Sequence, residues 1–409
     1  MSEVSSYIQP DWLIPLSSAP LRYPVVCQRT GLAVSNDLAR SLSSASIERL
    51  PNSIIMPAFV NAHTHLDLSG FEKPVGQQGM RFADWLIQII GHRRLESKLP
   101  QDSMPETIRR GLSECIASGV SMVGNISGWP WKFTNYPASE IKVVDFLEQL
   151  GANTDLAAER NARLEEFLDR TSERLDHRSY PGISPHAPYS TSAKLFDMAI
   201  ELARKRNLPV AMHLAESFEE RVFLDSGSGP FLEVLKSAGV DASKTGFPSI
   251  EHCLGQLARC KTALVVHGNF LSDRELDIIA ANASHVSVVW CPRTHAWFCH
   301  SPWPLKRMLD RGICVAIGTD SRASNPDLDL LGEVRAIAEA QPTLDPRTIL
   351  KLATLNGVQA LFGNAATQTA PSILLQYAEE IPGNPECAVL SLEPLSRKPF
   401  PVANQVCAD

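Results

Sequence analysis

Eight short apolar segments recur along the middle of the chain, and each is followed by a longer amphipathic or charged segment. They lie at residues 54–62, 120–126, 141–147, 182–186, 209–213, 263–267, 286–290 and 314–318. Short runs rich in β-branched residues predict β-strands, and their lack of polar alternation predicts burial on both faces. The pattern indicates a parallel sheet whose strands alternate with helices, including helices expected at 82–98 and 192–207.

The number of strand–helix units bears on how this sheet is arranged. Eight units within 54–342 fit a closed (β/α)8 TIM barrel, although the same local pattern also fits an open doubly wound sheet. A further helix is expected over 347–361, and short strands are expected at 23–29 and 46–50. We predict an α/β fold in which 54–363 form the barrel. Residues 1–53 and 364–409 then form the two parts of a small discontinuous β domain, the second part ending in a loose tail.

Charge and composition narrow the class of partner. The 38 Lys plus Arg residues are outnumbered by 45 Asp plus Glu residues, and no basic block is present to coat a phosphate backbone. We therefore expect a small-molecule substrate and no nucleic-acid partner, with a homodimer left open. No apolar run approaches the roughly 18–20 residues that span a bilayer, and the N-terminus lacks a signal-peptide pattern. Nine cysteines without paired spacing favour a reducing, cytoplasmic location.

Titratable side chains stand where five of the eight apolar segments end. These side chains are His63, His65, His186, His213, His267 and Asp320. The carboxyl ends of barrel strands converge on one face, where active sites are built. Any one such histidine is more often structural than functional, but several buried imidazoles beside a carboxylate are costly unless a cation binds them. A divalent metal ion meets that need, and this nitrogen and oxygen donor set suits zinc, iron or manganese.

The first of these segments carries a recognisable motif. Residues 57–65, Pro-Ala-Phe-Val-Asn-Ala-His-Thr-His, closely resemble the first-strand signature of the amidohydrolase superfamily, which comprises metal-dependent hydrolases on a (β/α)8 barrel. His213, His267 and the sequence Gly-Thr-Asp-Ser at 318–321 follow in the order found in that superfamily. The resemblance covers 54–361 and implies the closed barrel rather than the open sheet.

Two details of the sequence point to one branch of that superfamily. The segment 184–190 contains no lysine that could bridge two metal ions, so a single ion is expected. His213-Leu-Ala-Glu216 resembles the His-x-x-Glu pattern of the aminohydrolase branch. The resemblance implies that His63, His65, His213 and Asp320 bind one divalent ion, with zinc favoured and iron as the alternative. It also implies that Glu216, His267 and Asp320 move protons during hydrolytic deamination of a ring.

Candidate substrate-binding residues follow from the same resemblance. His186 lies in a segment similar to one that contacts the ribosyl portion in nucleoside deaminases, and Trp85 lies in a segment similar to their substrate-covering loop. His295 stands where many relatives carry Asn. Together with 319–325, this departure resembles aminodeoxyfutalosine deaminases, whose substrate is a 6-aminopurine nucleoside carrying a benzoate. Arg293 or Arg322 is then expected to pair with that carboxylate.

Other functions stay open on the sequence alone. The enzymatic alternatives are deamination of S-adenosylhomocysteine or adenosine, deamination of cytosine or guanine, and a triazine-type chlorohydrolase reaction. A barrel that binds a purine without turnover is the non-enzymatic alternative. The full set of metal-binding and proton-transfer residues favours an enzyme, since a protein that only binds has no need of Glu216 or His267.

Overall fold

Two β-sheets organise the chain in the computed structural model, which describes residues 7–28, 33–43, 47–96, 103–129, 141–171, 179–241, 244–363 and 371–400. The strands are β1 (Tyr7–Leu13), β2 (Leu21–Arg22), β3 (Val26–Cys27), β4 (Ile47–Pro57), β5 (Phe59–Thr64), β6 (Val120–Ser127), β7 (Lys142–Gln149), β8 (Ser179–Pro185), β9 (Val210–Leu214), β10 (Ala263–His267), β11 (Val286–Trp290), β12 (Cys314–Ile317), β13 (Ser372–Gln376) and β14 (Ser396–Phe400). One sheet contains β5 to β12 in chain order, and the other contains the six remaining strands.

The helices fill the connections between strands. They are α1 (Asn36–Ser41), α2 (Phe82–Glu96), α3 (Ser103–Ala117), α4 (Ala157–Thr171), α5 (Ala193–Arg206), α6 (Phe218–Ser226), α7 (Phe231–Ala238), α8 (Ile250–Leu257), α9 (Asp273–Ala281), α10 (Pro292–Trp297), α11 (Leu305–Asp310), α12 (Leu330–Ala340), α13 (Pro346–Leu352), α14 (Leu355–Phe362) and α15 (Pro385–Ser391). The helix predicted over 347–361 is two helices, because Thr354 leaves the helical region with φ −133° and ψ −93°. None of the helices in the described ranges is long and apolar enough to cross a membrane.

The eight-stranded sheet confirms the predicted (β/α)8 barrel. Its neighbouring strands pair in parallel, and every residue of β5 and β6 is buried, which explains why the strands read as continuous apolar runs. The barrel closes between β5 and β12, where the backbone N–H of Asp320 donates a 3.0 Å hydrogen bond to the carbonyl oxygen of His63. A Cβ atom on Gly318 would lie 2.5 Å from that same carbonyl oxygen, so only glycine fits beside this seam.

The second sheet joins the two ends of the chain. Its order is β14-β13-β4-β1-β2, with β3 paired to β1. Because β13 runs antiparallel to β4, the C-terminal segment pairs with the N-terminal one and the predicted discontinuous β domain is confirmed as part of the fold. The apolar segment 54–62 is not one strand, however. Ile54 and Ile55 pair with β1 and β13 in the small sheet, and the barrel strand begins at Phe59. The predicted tail beyond 400 lies outside the described residues.

Two glycine substitutions test the closed seam. We expect Gly318→Ala to lower the melting temperature, because the added methyl group collides with the His63 backbone and overpacking costs about 1–3 kcal/mol. Gly255→Ala is the matched control. Gly255 lies in α8 with nothing within 4 Å of its Cβ position, so alanine there gains up to about 1 kcal/mol of helix propensity. Thermal unfolding of both variants tests whether their melting temperatures change in opposite directions. A Gly318→Ala protein as stable as the wild type would contradict the close approach of Gly318 to the His63 backbone.

Candidate active site

Four side chains from three strand ends meet beside the barrel seam. His63 and His65 are two residues apart on β5 and its end, so both face the same side. The Nε2 atoms of His63 and His65 lie 3.5 and 3.6 Å from Oδ1 of Asp320. The Nε2 atom of His213 on β9 lies 3.2 Å from that of His65. The structure therefore brings together the four residues that the sequence predicts as metal ligands.

Glu216 follows β9 and His267 ends the neighbouring strand β10, and their side chains face each other. Oε1 of Glu216 is 3.3 Å from Nε2 of His267, and both residues are buried. Ala215, His267 and Asp320 have positive φ angles of 52°, 70° and 57°, a conformation that costs free energy for residues other than glycine. These turns bend the chain sharply at three strand ends and direct the catalytic candidates towards one centre.

The cluster has the properties of a metal site. The potential ligand atoms of His63, His65 and His213 all lie within 4.8 Å of one another, as do those of Glu216, His267 and Asp320. Within the described part of the chain, the buried Nε2 atoms of His63 and His267 have no hydrogen-bond partner, which is costly unless something else binds them. These residues fit a divalent ion, since imidazole nitrogens and a carboxylate are ligands that zinc and related metals prefer.

Burial sets the protonation of this cluster. It lowers the pKa of His65 and His213 well below the usual value and that of His267 to about 3, so these rings are neutral and able to bind a cation. Burial acts to raise the pKa of Asp320, but its close contact with the imidazoles of His63, His267 and His65 outweighs that effect and holds the pKa low. Burial also raises the pKa of Glu216 well above its usual value, with the charge of Asp320 adding to the effect.

Surrounding groups fix the orientation of the candidate ligands. Nδ1 of His213 lies 2.9 Å from the carbonyl oxygen of His186 and donates to it, which leaves Nε2 free to face the centre. The hydroxyl of Ser324 donates a 3.0 Å hydrogen bond to Oδ2 of Asp320. Asn269 donates through Nδ2 to the backbone oxygen of Glu216 at 2.8 Å.

Glu220 supports the backbone of the site, and the sequence analysis did not identify it. Its fully buried carboxylate accepts hydrogen bonds from the backbone N–H groups of Ala215 at 3.0 Å and Glu216 at 2.7 Å. Burial raises the pKa of Glu220 to about 7. Its position four residues after Glu216 is the only sequence signal, and an acidic residue in the first turn of a helix is common for unrelated reasons.

A cavity of about 760 Å³ opens above these residues. Its lining includes the cluster residues His65, His213, Glu216, His267 and Asp320, the predicted substrate-binding residues Trp85 and His186, and the unpredicted residues Arg93, Arg94, Glu148, Arg160 and Lys244. The Trp85 ring stacks on Phe82 at 5.7 Å, and its Nε1–H donates to the carbonyl oxygen of Ala323 at 3.1 Å. Trp85 therefore packs in a hydrophobic cluster with Phe82 and also borders the cavity.

Two predicted substrate-binding arginines lie elsewhere. Arg293 donates from Nε to Glu333 at 2.7 Å and from Nη2 to Asp327 at 2.6 Å. Arg322 donates from Nη1 to Glu114 at 2.7 Å and from Nε to a backbone oxygen. Neither side chain lines the cavity, because protein carboxylates already bind both guanidinium groups. The prediction that one of them pairs with a substrate carboxylate is corrected accordingly.

His295 also lies outside the cavity lining. Its Nδ1 is 3.2 Å from Oδ1 of Asn269, and its Nε2 is 2.8 Å from the carbonyl oxygen of Ser301. Since Asn269 in turn binds the backbone of Glu216, His295 supports the site from behind and does not face a ligand. This position corrects its predicted role in substrate binding.

Comparison with known proteins agrees with this geometry. Residues 54–362 match the model of the Amidohydrolase family, and this match covers the whole barrel. This chain belongs to the amidohydrolase family. It is 28% identical over 331 residues to an aminodeoxyfutalosine deaminase of a Nitratiruptor species, a match that covers 79% of this chain and 77% of that relative. It is also 28% identical over 344 residues to a 5-methylthioadenosine/S-adenosylhomocysteine deaminase of Pyrococcus horikoshii, covering 80% and 74% of the two chains. The predicted hydrolase of the aminohydrolase branch is thereby confirmed.

Solved structures share the fold of this family member. The aminofutalosine deaminase of Helicobacter pylori in complex with methylthio-coformycin superposes with a TM-score of 0.82 at 21% identity, covering 95% of this chain and 97% of that one. An adenosine deaminase of Xanthomonas campestris with bound zinc gives a TM-score of 0.73 at 21% identity, covering 99% and 95%. Both likenesses extend over the small sheet as well as the barrel.

Replacing Glu220 tests its role in holding the turn at Glu216. We expect Glu220→Ala to lower the melting temperature, because two buried N–H groups lose their acceptors at a cost of about 1–3 kcal/mol each. Glu233→Ala is the matched control, since that side chain is 69% exposed on α7 and its loss costs within about 0.5 kcal/mol. Equal melting temperatures for the two variants would rule out a supporting role for Glu220.

Proposed function

We propose that this chain is a metal-dependent hydrolytic deaminase that releases ammonia from a 6-aminopurine nucleoside, with aminodeoxyfutalosine as the preferred substrate. The observation that carries the proposal is the pair Glu216 and His267, 3.3 Å apart beside a cluster of three histidines and Asp320 at the base of a large cavity. The deaminases among its relatives support the same reaction.

The metal ion would be held by His63, His65, His213 and Asp320, and we propose one zinc ion, with iron as the alternative. A bound divalent ion supplies a nucleophile near neutral pH by lowering the pKa of water. The zinc-bound adenosine deaminase of the same fold supports this assignment. The cytoplasmic location and the homodimer remain predictions from the sequence.

Burial and neighbouring groups support the proposed proton-transfer roles of Glu216, Asp320 and His267. Burial raises the pKa of Glu216 well above its usual value, which favours the protonated carboxyl group that donates to the ring nitrogen next to the carbon bearing the amino group. The ionised Asp320 and the neutral His267 are acceptors for the proton that the attacking water gives up. The proton taken up from water then passes to the amino group, the C–N bond breaks and ammonia leaves. The hydroxyl added to the ring carbon gives its proton back to Glu216, so the carbon becomes a carbonyl and both carboxyl groups return to their starting forms.

The more exposed part of the cavity supports a substrate with an anionic arm. Arg94 and Lys244 line it and are exposed, and Arg160 lines it with its Nη1 bound to the carbonyl oxygen of Leu150 at 2.6 Å. These cations take over the role first predicted for Arg293 and Arg322. A carboxylate on the substrate is attracted by this positive charge, which favours aminodeoxyfutalosine. S-adenosylhomocysteine also carries a carboxylate and is the second candidate.

Smaller substrates fit the cavity less well. About 760 Å³ is within the range of pockets that enclose ligands of drug size, whereas cytosine or a triazine fills only part of it. Burial of Glu216 and His267 beside the metal cluster is costly and has no purpose in a protein that only binds a purine.

A substrate panel with one substitution tests the proposed reaction. We expect ammonia release from aminodeoxyfutalosine, with weaker turnover of adenosine and none of cytosine or melamine. Glu216→Gln should keep its metal and lose about 10²–10⁴ in kcat, because the amide has no acidic proton to give. Glu233→Gln, on the exposed face of α7, is the control and should retain full activity.

Two results would contradict the proposal. One is turnover of a pyrimidine or triazine with no activity on any aminopurine nucleoside. The other is full activity of Glu216→Gln in protein whose metal content equals that of the wild type. Metal analysis of the assayed samples separates this second result from simple loss of the ion.

A further inference from the structure

The indole ring of Trp303 is a buried group beside the site that the proposed chemistry does not use. Trp303 lies between α10 and α11 and is 4% exposed. It stands between Pro302 and Pro304. Because a proline fixes its own φ angle and restricts the residue before it to extended backbone, the main chain at Trp303 has few alternative conformations. The sequence therefore limits the directions in which this indole leaves the chain.

The Nε1–H group of Trp303 donates a hydrogen bond to the backbone of His267. The acceptor is the carbonyl oxygen of His267, at 3.1 Å, and both residues are buried. His267 is the last residue of β10, and the pairing of β10 with β11 ends one residue earlier, at Val266 and Val289. The indole thus supplies a donor to a carbonyl just beyond the last strand pair, where a buried oxygen without a partner is costly.

A second indole fixes the plane of the first. The Trp303 ring stacks on that of Trp290, the last residue of β11, with ring centroids 4.7 Å apart and planes inclined by 2°. Buried Trp N–H groups usually find a partner, yet within the described residues Nε1 of Trp290 has none. Trp290 therefore acts through its flat apolar face, and Trp303 is the member of the pair that donates a hydrogen bond.

This hydrogen bond is made to a strained turn. His267 has a φ angle of 70°, a conformation that costs free energy for a residue other than glycine and persists only where the surroundings hold it. The direction of a side chain follows from its backbone, and Nε2 of His267 lies 3.3 Å from Oε1 of Glu216. A donor that holds the carbonyl oxygen of His267 therefore also holds its imidazole towards Glu216.

We infer that Trp303 is a positioning residue for the proposed reaction, which aligns His267 by donating to its carbonyl oxygen. The inference rests on the proposed function, since that function assigns His267 a part in proton transfer. Trp303 does not line the cavity, so it acts through His267 and not on the substrate. Loss of the donor should therefore slow turnover and leave substrate binding almost unchanged, because a small misplacement of a reacting group lowers the rate steeply.

Two substitutions at Trp303 separate the hydrogen bond from the packing. Trp303→Phe keeps an aromatic ring on Trp290 but has no N–H group, and we expect kcat to fall about 10- to 100-fold with KM within about threefold of the wild-type value. Trp303→His keeps an N–H donor on a smaller ring, so it should lower the melting temperature more than Trp303→Phe yet retain more of the wild-type kcat. All variants are assayed at equal metal content on the aminopurine nucleoside that the wild type turns over best.

Trp297→Phe is the matched control and should keep the wild-type kcat, because Nε1 of Trp297 has no hydrogen-bond partner among the described residues and Trp297 does not line the cavity. A wild-type kcat in Trp303→Phe, or a larger loss of kcat in Trp303→His than in Trp303→Phe, would overturn the inference alone. If Trp303→Phe does not fold, a loss of kcat beyond about tenfold in Trp303→His overturns it instead. A metal-loaded wild type with no activity on any purine nucleoside would overturn the proposed function, and this inference with it.

Discussion

The hydrogen bond from the backbone of Asp320 to the carbonyl oxygen of His63 is the constraint on which the rest of the site depends. It closes the barrel between β5 and β12, and the residues that make it are two of the candidate metal ligands. Thr64 strengthens the same seam by donating from its hydroxyl to the backbone oxygen of Asp320 at 2.8 Å. Closing the sheet and assembling the metal site are therefore one event, and anything that separates the two strands also separates the ligands.

Burial at this seam decides which groups can give and which can accept a proton. It lowers the pKa values of His65, His213 and His267 and raises that of Glu216, while the surrounding histidines hold the pKa of Asp320 low. A cavity whose buried base holds an acid, a base and a set of nitrogen ligands is suited to hydrolysis at a polarised ring carbon.

The sequence predicts the barrel and its chemical centre well, for a physical reason. Parallel strands covered on both faces are continuously apolar, so a histidine or aspartate at the end of such a run stands out, as at His213 and Asp320. The predictions for the arginines failed because a long side chain can reach several different carboxylates. Arg293 follows a strand end but reaches Glu333, which is 40 residues away in sequence. Glu220 was missed because an acidic residue gives no local signal of being buried. The limit between β4 and β5 was missed because the end of β4 and the start of β5 are both apolar.

The central claim is that the residues closing the barrel also hold the metal ion, and thermal unfolding with and without the ion tests it most directly. An ion that binds only the folded protein adds about 2.7 kcal/mol of stability at a concentration 100 times its Kd. We expect a chelator to lower the melting temperature and one equivalent of zinc to restore it, whereas Asp320→Asn protein should not respond to either addition. A melting temperature that is unchanged on removal of a stoichiometric metal ion would contradict the account.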